Sequence, residues 1–324
     1  MARKIILTIG FLISSLCFCA LASAQESWPN KPIKILIPFS PGALTDVIAR
    51  MYGVELSKKL GVPVVIENIA GAGGVTAGKM LKSMPADGYT LMFVSSGHAV
   101  NPGLKKELPF NTQKDFSGVA LVASSPALII VNANSQFKTL GELIEYSKKN
   151  PDKLNYGSAG IGSATHLAGE YFLMETNIKL THIPYKGVQE AVSEVFAQRI
   201  DTAFPPIALA LPFINDGRIR ALANTGARRS NLLPTVPTVS ESGYKDFDYR
   251  IWYGFVMRSN SPKNIMDKLA NEIKLISMNP EIISKFQSQG LESSDLYLDV
   301  FDKYIGNEIN KFGKIIKAAG IQPD

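Results

Sequence analysis

The chain has 324 residues, with 34 Lys and Arg against 28 Asp and Glu, and its formal net charge is +6. It contains no block of basic residues and no basic stripe interleaved with aromatics, so the composition gives no support to nucleic-acid binding. The small positive excess suits an anionic small ligand, although a solvated surface explains it equally well.

Residues 1–24 are predicted to be a cleaved export signal. Two basic residues precede an apolar run from 5 to 21, which ends at the small-x-small cleavage site Ala22-Ser23-Ala24. The short apolar stretch and the cleavage site disfavour a membrane anchor. Both cysteines, Cys17 and Cys19, lie inside this signal, so we expect an exported protein without disulfides. The remaining chain is long enough for two lobes stabilised by their cores alone.

The first strand–loop–helix unit has the features of an anion site. The apolar run Ile33–Ile37 predicts a strand, a Pro/Gly loop follows it at 38–42, and Thr45 or Asp46 is expected to cap the next helix. Such a loop presents unpaired N–H groups and the positive end of a helix dipole. Taken alone, the pattern also fits an ordinary βα turn without a ligand.

Strands and helices then alternate along the chain at a spacing typical of parallel, doubly wound sheets. In the first half, the helix after the opening loop ends near Gly61, and we predict strands over 62–67, 89–95, 119–122 and 127–131, helices over 75–84 and 139–150, and a polar loop over 96–103. In the second half, we predict strands over 179–183, 200–204, 219–223 and 248–257, helices over 167–175, 191–198 and 207–214, and an all-helical part from 261 onwards.

A second strand–loop–helix unit, residues 154–166, has the same physical design as the first but lies in the other half of the chain. Crossovers near residues 124 and 252 would place residues 25–124 and 253–324 in lobe 1 and residues 125–252 in lobe 2. Ligands of such sheets bind beyond the carboxyl ends of the strands, where these loops fall. The sequence therefore predicts two lobes, each with a glycine loop directed at the cleft between them.

The sequence motifs that would indicate a nucleotide or a metal site are incomplete. Gly71-x-Gly73 is not followed by the third glycine of a dinucleotide site, and Gly78-Lys79 is not followed by the Ser or Thr of a P-loop. His166 and Glu170 share a helix face, but a zinc site needs three or four converging ligands. We therefore predict no cofactor and no metal.

A hydrolase is the alternative from a different class of function. No GxSxG motif surrounds Ser158 or Ser163, which argues against a nucleophile elbow. Ser158, His98 and Asp46 nevertheless all fall in the predicted cleft loops, so an exported hydrolase stays an alternative.

A series of motifs in a fixed order carries a family resemblance. They are Trp28-Pro29-x-Lys31-Pro32-Ile33, Pro38-Phe39-x-Pro41-Gly42-x-x-x-Asp46-x-x-Ala49-Arg50, Glu67-Asn68-x-x-Gly71-Ala72-x-Gly74, Ala86-Asp87-Gly88-Tyr89-Thr90-Leu91, Tyr156-Gly157-Ser158-Ala159-Gly160-x-Gly162-Ser163-x-x-His166-Leu167, His182-x-Pro184-Tyr185-Lys186-Gly187, Leu233-Pro234-x-Val236-Pro237-Thr238 and Glu241-x-Gly243. With them the chain resembles the periplasmic solute receptors of tripartite tricarboxylate transporters, often called the Bug family, over nearly all of its mature length.

The resemblance implies a two-lobed periplasmic-binding-protein (Venus-flytrap) fold of class α/β, in which each lobe is a mostly parallel sheet flanked by helices. It implies a monomeric receptor without a catalytic step, which captures a small carboxylate in the cleft and delivers it to the membrane permease subunits of such a transporter. The carboxylate would be held mainly by backbone N–H groups and ordered water. The residues implied are Ser40, Gly42, Ala43, Thr45 and Asp46 on lobe 1, Ser158, Ala159, Gly160, Gly162 and Ser163 on lobe 2, and the side walls Ser95, His98, Asn101, Lys186, Gly187 and Pro206.

Ala43 is the informative departure from the family pattern, because it stands where these receptors usually have the second glycine of Pro-Gly-Gly. Its methyl group either still allows the turn or shifts the bound water. A receptor of the same fold that reports its ligand to a sensor kinase would have a similar sequence and is the second alternative.

Overall fold

The computed structural model describes residues 28–323, so the predicted export signal lies outside the described residues. The strands are β1 (Ile33–Ile37), β2 (Val64–Asn68), β3 (Thr90–Ser95), β4 (Phe116–Pro126), β5 (Leu128–Asn132), β6 (Asn155–Ser158), β7 (Thr181–Pro184), β8 (Thr202–Ala203), β9 (Ile219–Asn224), β10 (Arg250–Arg258) and β11 (Glu292–Tyr297). The helices are α1 (Leu44–Leu60), α2 (Val75–Ser83), α3 (Gly97–Leu104), α4 (Thr112–Asp115), α5 (Leu140–Lys149), α6 (Ala164–Thr176), α7 (Val188–Phe196), α8 (Ile207–Asn215), α9 (Lys263–Ser277), α10 (Pro280–Ser288) and α11 (Asp299–Ala318).

Two sheets, each flanked by helices, confirm the predicted two-lobed α/β class. Both sheets are mixed, whereas mostly parallel sheets were expected. The first lobe contains a six-stranded sheet of order β11-β4-β10-β3-β1-β2, and the second contains a five-stranded sheet of order β7-β6-β8-β5-β9. The strands β1, β2 and β3 pair in parallel, as do β6, β7 and β8. The strands that lead from one lobe to the other, β4, β5, β9 and β10, pair antiparallel with their neighbours, because the chain enters each sheet from the opposite lobe.

Two sequence predictions were wrong in secondary structure. Residues 97–104, predicted as part of a polar loop, form the helix α3, and residues 292–297, predicted to lie in an all-helical part, form β11. The strand β11 alternates between half-buried and exposed side chains and pairs with β4 at the sheet edge. It therefore lacks the continuous apolar run by which buried strands are recognised.

The segments that link the lobes meet at Thr225. Its hydroxyl accepts a hydrogen bond from the Ala127 N–H (2.8 Å) and lies 2.8 Å from the Tyr249 carbonyl oxygen, to which it can donate. Ala127 follows β4, whereas Thr225 and Tyr249 flank the connection from β9 to β10. The first sheet draws on residues 33–126 and 250–297 and the second on residues 128–224, whereas the lobe boundaries at 124 and 252 stay a prediction.

The C-terminal helix α11 fixes the helices that border the cleft. It packs on β4 and on both α3 and α6, and its Phe301 ring lies 5.7 Å, edge to face, from the fully buried Trp252 of β10. A Cβ atom on Gly103 would lie 2.6 Å from Ile316 Cδ1, so α3 approaches α11 as closely as a glycine permits. Within residues 28–323, no helix is both long and apolar enough to cross a membrane.

Candidate functional site

A cavity of about 500 Å³ lies between the two lobes, where the loops after β1, β3 and β6 meet. This position, beyond the carboxyl ends of parallel strands, is where α/β sheets bind their ligands. The lining residues from the first lobe are Phe39, Leu44, Thr45, Gly73, Ser95, Ser96, Gly97, Val100, Asn101, Leu104, Lys105, Ile251 and Tyr253, and those from the second lobe are Ile161, Gly162, Ser163 and Ala164.

Three helices begin at this cavity. Leu44 and Thr45 belong to the first turn of α1, Gly97 starts α3, and Ala164 starts α6. The first N–H groups of a helix have no partner within the helix, and each helix N-terminus has a partial charge of roughly +0.5. No side chain caps α1 or α3. The described lining residues include one lysine and no Asp, Glu or Arg, so the local field favours an anion.

The loop before α1 is held by Asp46. Its carboxylate accepts hydrogen bonds from the Gly42 N–H, Arg50 Nε and Asn68 Nδ2, each at 2.9 Å. The Arg50 guanidinium is the main cause that lowers the pKa of Asp46 to about 2, despite burial, which opposes the shift. The expected capping role is wrong for Asp46 and for Thr45, because the cap position is Ala43, one residue before the helix begins.

Ala43 does not disturb the turn. Its φ is −63°, which any residue adopts, whereas the neighbouring Gly42 has φ 83° and therefore needs to be glycine. The family position at 43 can thus hold an alanine without backbone strain, so the turn is allowed, whereas the shift of bound water stays a prediction.

The loop before α6 is also tied to its own side chains. The N–H groups of Ala159, Gly160 and Gly162 donate to Thr165 Oγ1 (2.9 Å), Ser158 Oγ (3.1 Å) and His166 Nδ1 (2.9 Å). In addition, Ser163 Oγ caps α6 by accepting from the His166 N–H at 3.2 Å. These backbone donors, which the sequence analysis assigned to the ligand, are therefore already paired. The helix starts supply the remaining N–H groups of the site.

Five of the predicted binding residues line the cavity: Thr45, Ser95, Asn101, Gly162 and Ser163. The other predicted residues are not among its lining residues: Ser40, Gly42, Ala43, Asp46, His98, Ser158, Ala159, Gly160, Lys186, Gly187 and Pro206. Most of these lie in the same loops as the lining residues, and Ser40 and Gly42 are exposed to solvent. Lys186 is exposed before α7, and Pro206 bridges to Ala127 beside the connection between the lobes.

His98 is a buried, neutral residue of the first lobe. Its ring lies 5.6 Å from that of Phe116, and its Nε2 has no hydrogen-bond partner among residues 28–323. Burial lowers the pKa of His98 to about 4. Ser158 is fully buried and bonds to His182 and Gly160 instead. The structure therefore does not bring Ser158, His98 and Asp46 together as a catalytic group.

Sequence reasoning missed most of the apolar wall. Phe39, Leu44, Val100, Leu104 and Ile251 line the cavity, and Ile161 stands at its mouth with 70% of its surface exposed. Such residues are usually interpreted as core. The start of α3 was missed because its helix was interpreted as a loop.

The two lobes touch where Leu104 meets the second loop. A Cβ atom added to Gly162, whose φ is 75°, would lie 2.5 Å from Leu104 Cδ1. This contact joins the end of α3 to the residue that precedes the α6 cap. The cavity is therefore closed on this side by an apolar side chain seated against a glycine.

Tyr253 is a neutral polar residue of the cavity lining. It belongs to β10 and is 7% exposed, and its hydroxyl has no hydrogen-bond partner among the described residues. Burial raises the pKa of this phenol above its ordinary value, so it stays protonated at neutral pH. It can therefore donate one hydrogen bond to a ligand. Within the described residues, no group of three or more His, Cys, Asp or Glu could hold a metal ion.

Comparisons with known proteins show which family this chain resembles in sequence and fold. The sequence model of one family, described as "Tripartite tricarboxylate transporter family receptor", matches residues 48–321. Protein BugT of Bordetella pertussis is 30% identical over 98% of this chain and 98% of its own. The structure of periplasmic binding protein BugD is 29% identical and covers 92% of this chain and 100% of its own, with a TM-score of 0.73. R. palustris Rpa4515 with adipate is 28% identical over the same shares, with a TM-score of 0.77.

Proposed function

The chain belongs to the tripartite tricarboxylate transporter receptor family, and from this premise we propose that it captures a small carboxylate between its lobes and delivers it to a permease of that transporter type. The family's members are periplasmic solute-binding proteins, and the predicted export signal supports the same compartment for this chain. It acts as a monomer and without a catalytic step.

The convergence of three helix N-termini on one cavity is the observation that carries the proposal. One carboxylate group lies where α1, α3 and α6 begin, and it accepts hydrogen bonds from their first N–H groups. The polar side chains of Thr45, Ser95, Asn101 and Ser163 surround that position. No carboxylate side chain of the described residues lines the cavity, so the ligand meets no opposing negative charge.

The body of the ligand is apolar. Phe39, Leu44, Val100, Leu104 and Ile251 form the wall beside the anion position, and hydroxyl groups lodged against them would lose their hydrogen bonds to water. The hydroxyl of Tyr253 is the neutral donor that meets a second oxygen of the ligand. We infer an aliphatic or aromatic acid with few hydroxyl groups. The adipate in Rpa4515 is such a compound, because its four inner carbons are unsubstituted.

A matched pair of acids tests the proposal. Adipate and galactarate have the same six-carbon dicarboxylate skeleton, and galactarate has a hydroxyl on each of the four inner carbons. In a thermal-shift and calorimetry series at pH 7.5, we expect adipate to bind more tightly. A ligand at a hundred times its Kd should stabilise the protein by about 2.7 kcal/mol. Tighter binding of galactarate would refute the apolar body, and a panel in which only sugars or cations bind would refute the carboxylate.

A conservative variant tests the anion position. Thr45→Val keeps the shape of the side chain and removes its hydroxyl, so we expect affinity to fall about two- to tenfold. Ser193→Ala is the control, because Ser193 is exposed on α7 and does not line the cavity. Equal affinities of Thr45→Val and the wild type would remove Thr45 from the site.

Delivery needs its own measurement. Vesicles that contain the permease subunits encoded nearest to this receptor should accumulate labelled ligand only when the receptor is added. Uptake that is independent of the receptor would refute delivery while leaving ligand binding intact.

A further inference from the structure

Two histidines stand directly behind the loop that carries Gly162 and Ser163. The rings of His166 on α6 and His182 on β7 are stacked with their centroids 3.9 Å apart and an interplanar angle of 18°. The ring of Tyr156 is also stacked with both, its centroid 4.9 Å from that of His182 and 6.3 Å from that of His166. Neither histidine lines the cavity, so neither is a direct ligand contact.

Each histidine is bonded to the loop. The Gly162 N–H donates to His166 Nδ1 at 2.9 Å, and His182 Nε2 lies 2.6 Å from Ser158 Oγ. A backbone N–H can only donate, so His166 Nδ1 carries no proton and its neutral ring is protonated at Nε2. That Nε2 lies 3.6 Å from Glu170 Oε1. The tautomer of His166 is thus fixed by the loop on one side and faces a carboxylate on the other.

Two further titratable residues, Glu170 and Tyr156, face the histidine pair. Glu170 lies one turn along α6 and accepts a short hydrogen bond from the Tyr156 hydroxyl of β6. Although burial opposes it, the hydrogen bonds of His166 and Tyr156 lower the pKa of Glu170. Burial and the neighbouring His166 lower the pKa of His182 to about 4. At neutral pH the ring of His182 is therefore uncharged and lies in a cluster with the Glu170 carboxylate and the Tyr156 phenol.

We propose that the His166–His182 pair positions the second-lobe binding loop and makes ligand affinity fall when the pair takes up a proton. A proton on His166 Nδ1 replaces the acceptor of the Gly162 N–H by a second donor, so the two N–H groups repel. Two stacked imidazolium rings would also repel each other at 3.9 Å. Either event displaces residues 158–163, of which Ile161, Gly162 and Ser163 line the cavity. The inference rests on the proposed function, because it treats this cavity as the ligand site.

Amide isosteres of histidine separate positioning from titration. In His166→Asn the amide oxygen takes the place of Nδ1 as an acceptor, and in His182→Gln the amide takes the place of Nε2, but neither group titrates. Their Kd for adipate at pH 7.5 should stay within about threefold of the wild type. His166→Leu has no acceptor for Gly162 and should lose about two- to tenfold in affinity at the same pH. Circular dichroism and urea unfolding check that each variant folds.

The pH profile is the deciding measurement. Between pH 7.5 and 4.5, we expect Kd to rise several-fold more in the wild type than in a His166→Asn/His182→Gln double variant. The titration of adipate is the same for both proteins, so it cancels when their two changes in Kd are divided. Any contribution of His98, the third histidine of the chain, cancels as well, because every variant retains it. Parallel profiles of wild type and double variant would overturn the proposal. So would unchanged affinity of a folded His166→Leu.

A measurement without ligand keeps this inference separate from the proposed function. In the ligand-free protein, the amide NMR signal of Gly162 should move as pH falls from 7.5 to 4, and it should not move in His166→Asn. If the Gly162 amide chemical shift of the wild type does not change with pH, the positioning role is overturned even if adipate binds. A signal that moves while no carboxylate binds supports the positioning role and refutes the assigned ligand.

Discussion

Replacing Asp46 by Asn tests how the first-lobe loop is stabilised. The Asp46 side chain is 4% exposed and accepts from three donors: Gly42, Arg50 and Asn68. Asparagine has the same shape, but one of its two terminal atoms is an NH₂ group. In either orientation that group faces a donor, toward Asn68 or toward Gly42 and Arg50. The variant therefore loses the ion pair and at least one hydrogen bond without creating a cavity.

The pKa of Asp46 sets the size of the effect. A shift from 3.8 to about 2 corresponds to roughly 2 kcal/mol of stability at neutral pH. The Arg50 side chain is 49% exposed, so solvent screening makes this value an upper limit. Because the pKa is lowered in the folded state, the contribution is complete above about pH 5, declines as pH falls through 4 and is lost only below about pH 2. Protonated Asp46 resembles Asn, so the difference between the two proteins should vanish there.

Urea unfolding followed by circular dichroism at pH 7, 4, 3 and 2.5 measures this difference. We expect Asp46→Asn to be less stable than the wild type by about 1–2 kcal/mol at pH 7 and by progressively less below pH 4. Asp267→Asn is the control, since its exposed pair with Lys263 should contribute less than about 1 kcal/mol. A difference between wild type and Asp46→Asn that is the same at pH 7 and pH 2.5 would refute the reasoning.

Three further predictions rest on the contacts described above. Gly162→Ala should weaken ligand binding more than tenfold. Adding Leu104→Ala should restore only part of the affinity, because the clash is removed but a left-handed backbone strain of about 1–2 kcal/mol remains. Calorimetry of both variants measures this, and losses of affinity that simply add would contradict the contact. Thr139→Ala should lower the free energy of unfolding by about 1 kcal/mol through loss of the capping box of α5, with ligand affinity unchanged. Trp252→Phe should cost about 1–3 kcal/mol in urea unfolding, because it removes the 3.1 Å hydrogen bond to the buried Glu308; a stability equal to the wild type would contradict it.

The elements that the sequence predicted best are those whose local pattern agrees with their tertiary environment. The strand β1 is a continuous apolar run buried in the sheet, and Gly61 ends α1 in the left-handed conformation, with φ 71°. The helix α3 was not predicted, because its local sequence contains Pro102 and two glycines, which disfavour a helix. Its packing against α11, where Gly103 meets Ile316, outweighs its poor helix propensity.

The candidate site divides in the same way. Thr45, Ser95 and Ser163 could be placed from sequence, since polar residues that follow parallel strands gather at one edge of a sheet. Leu104 and Ile251 could not, because an apolar side chain that faces a ligand and one that faces the core have the same local pattern. The two histidines illustrate a third case. His166 and His182 both belong to the family motifs in the sequence. Only the three-dimensional structure shows that these residues of α6 and β7 stack on each other.

Ile161 at the mouth of the cavity offers a direct way to observe this protein at work. The side chain is 70% exposed, yet it borders the space that a ligand would fill. The chain has no cysteine after residue 19, so Ile161→Cys would introduce a single labelling position into the described part of the molecule. A polarity-sensitive fluorophore attached there would be dehydrated when the cleft fills, which turns the receptor into an optical sensor for its own ligand.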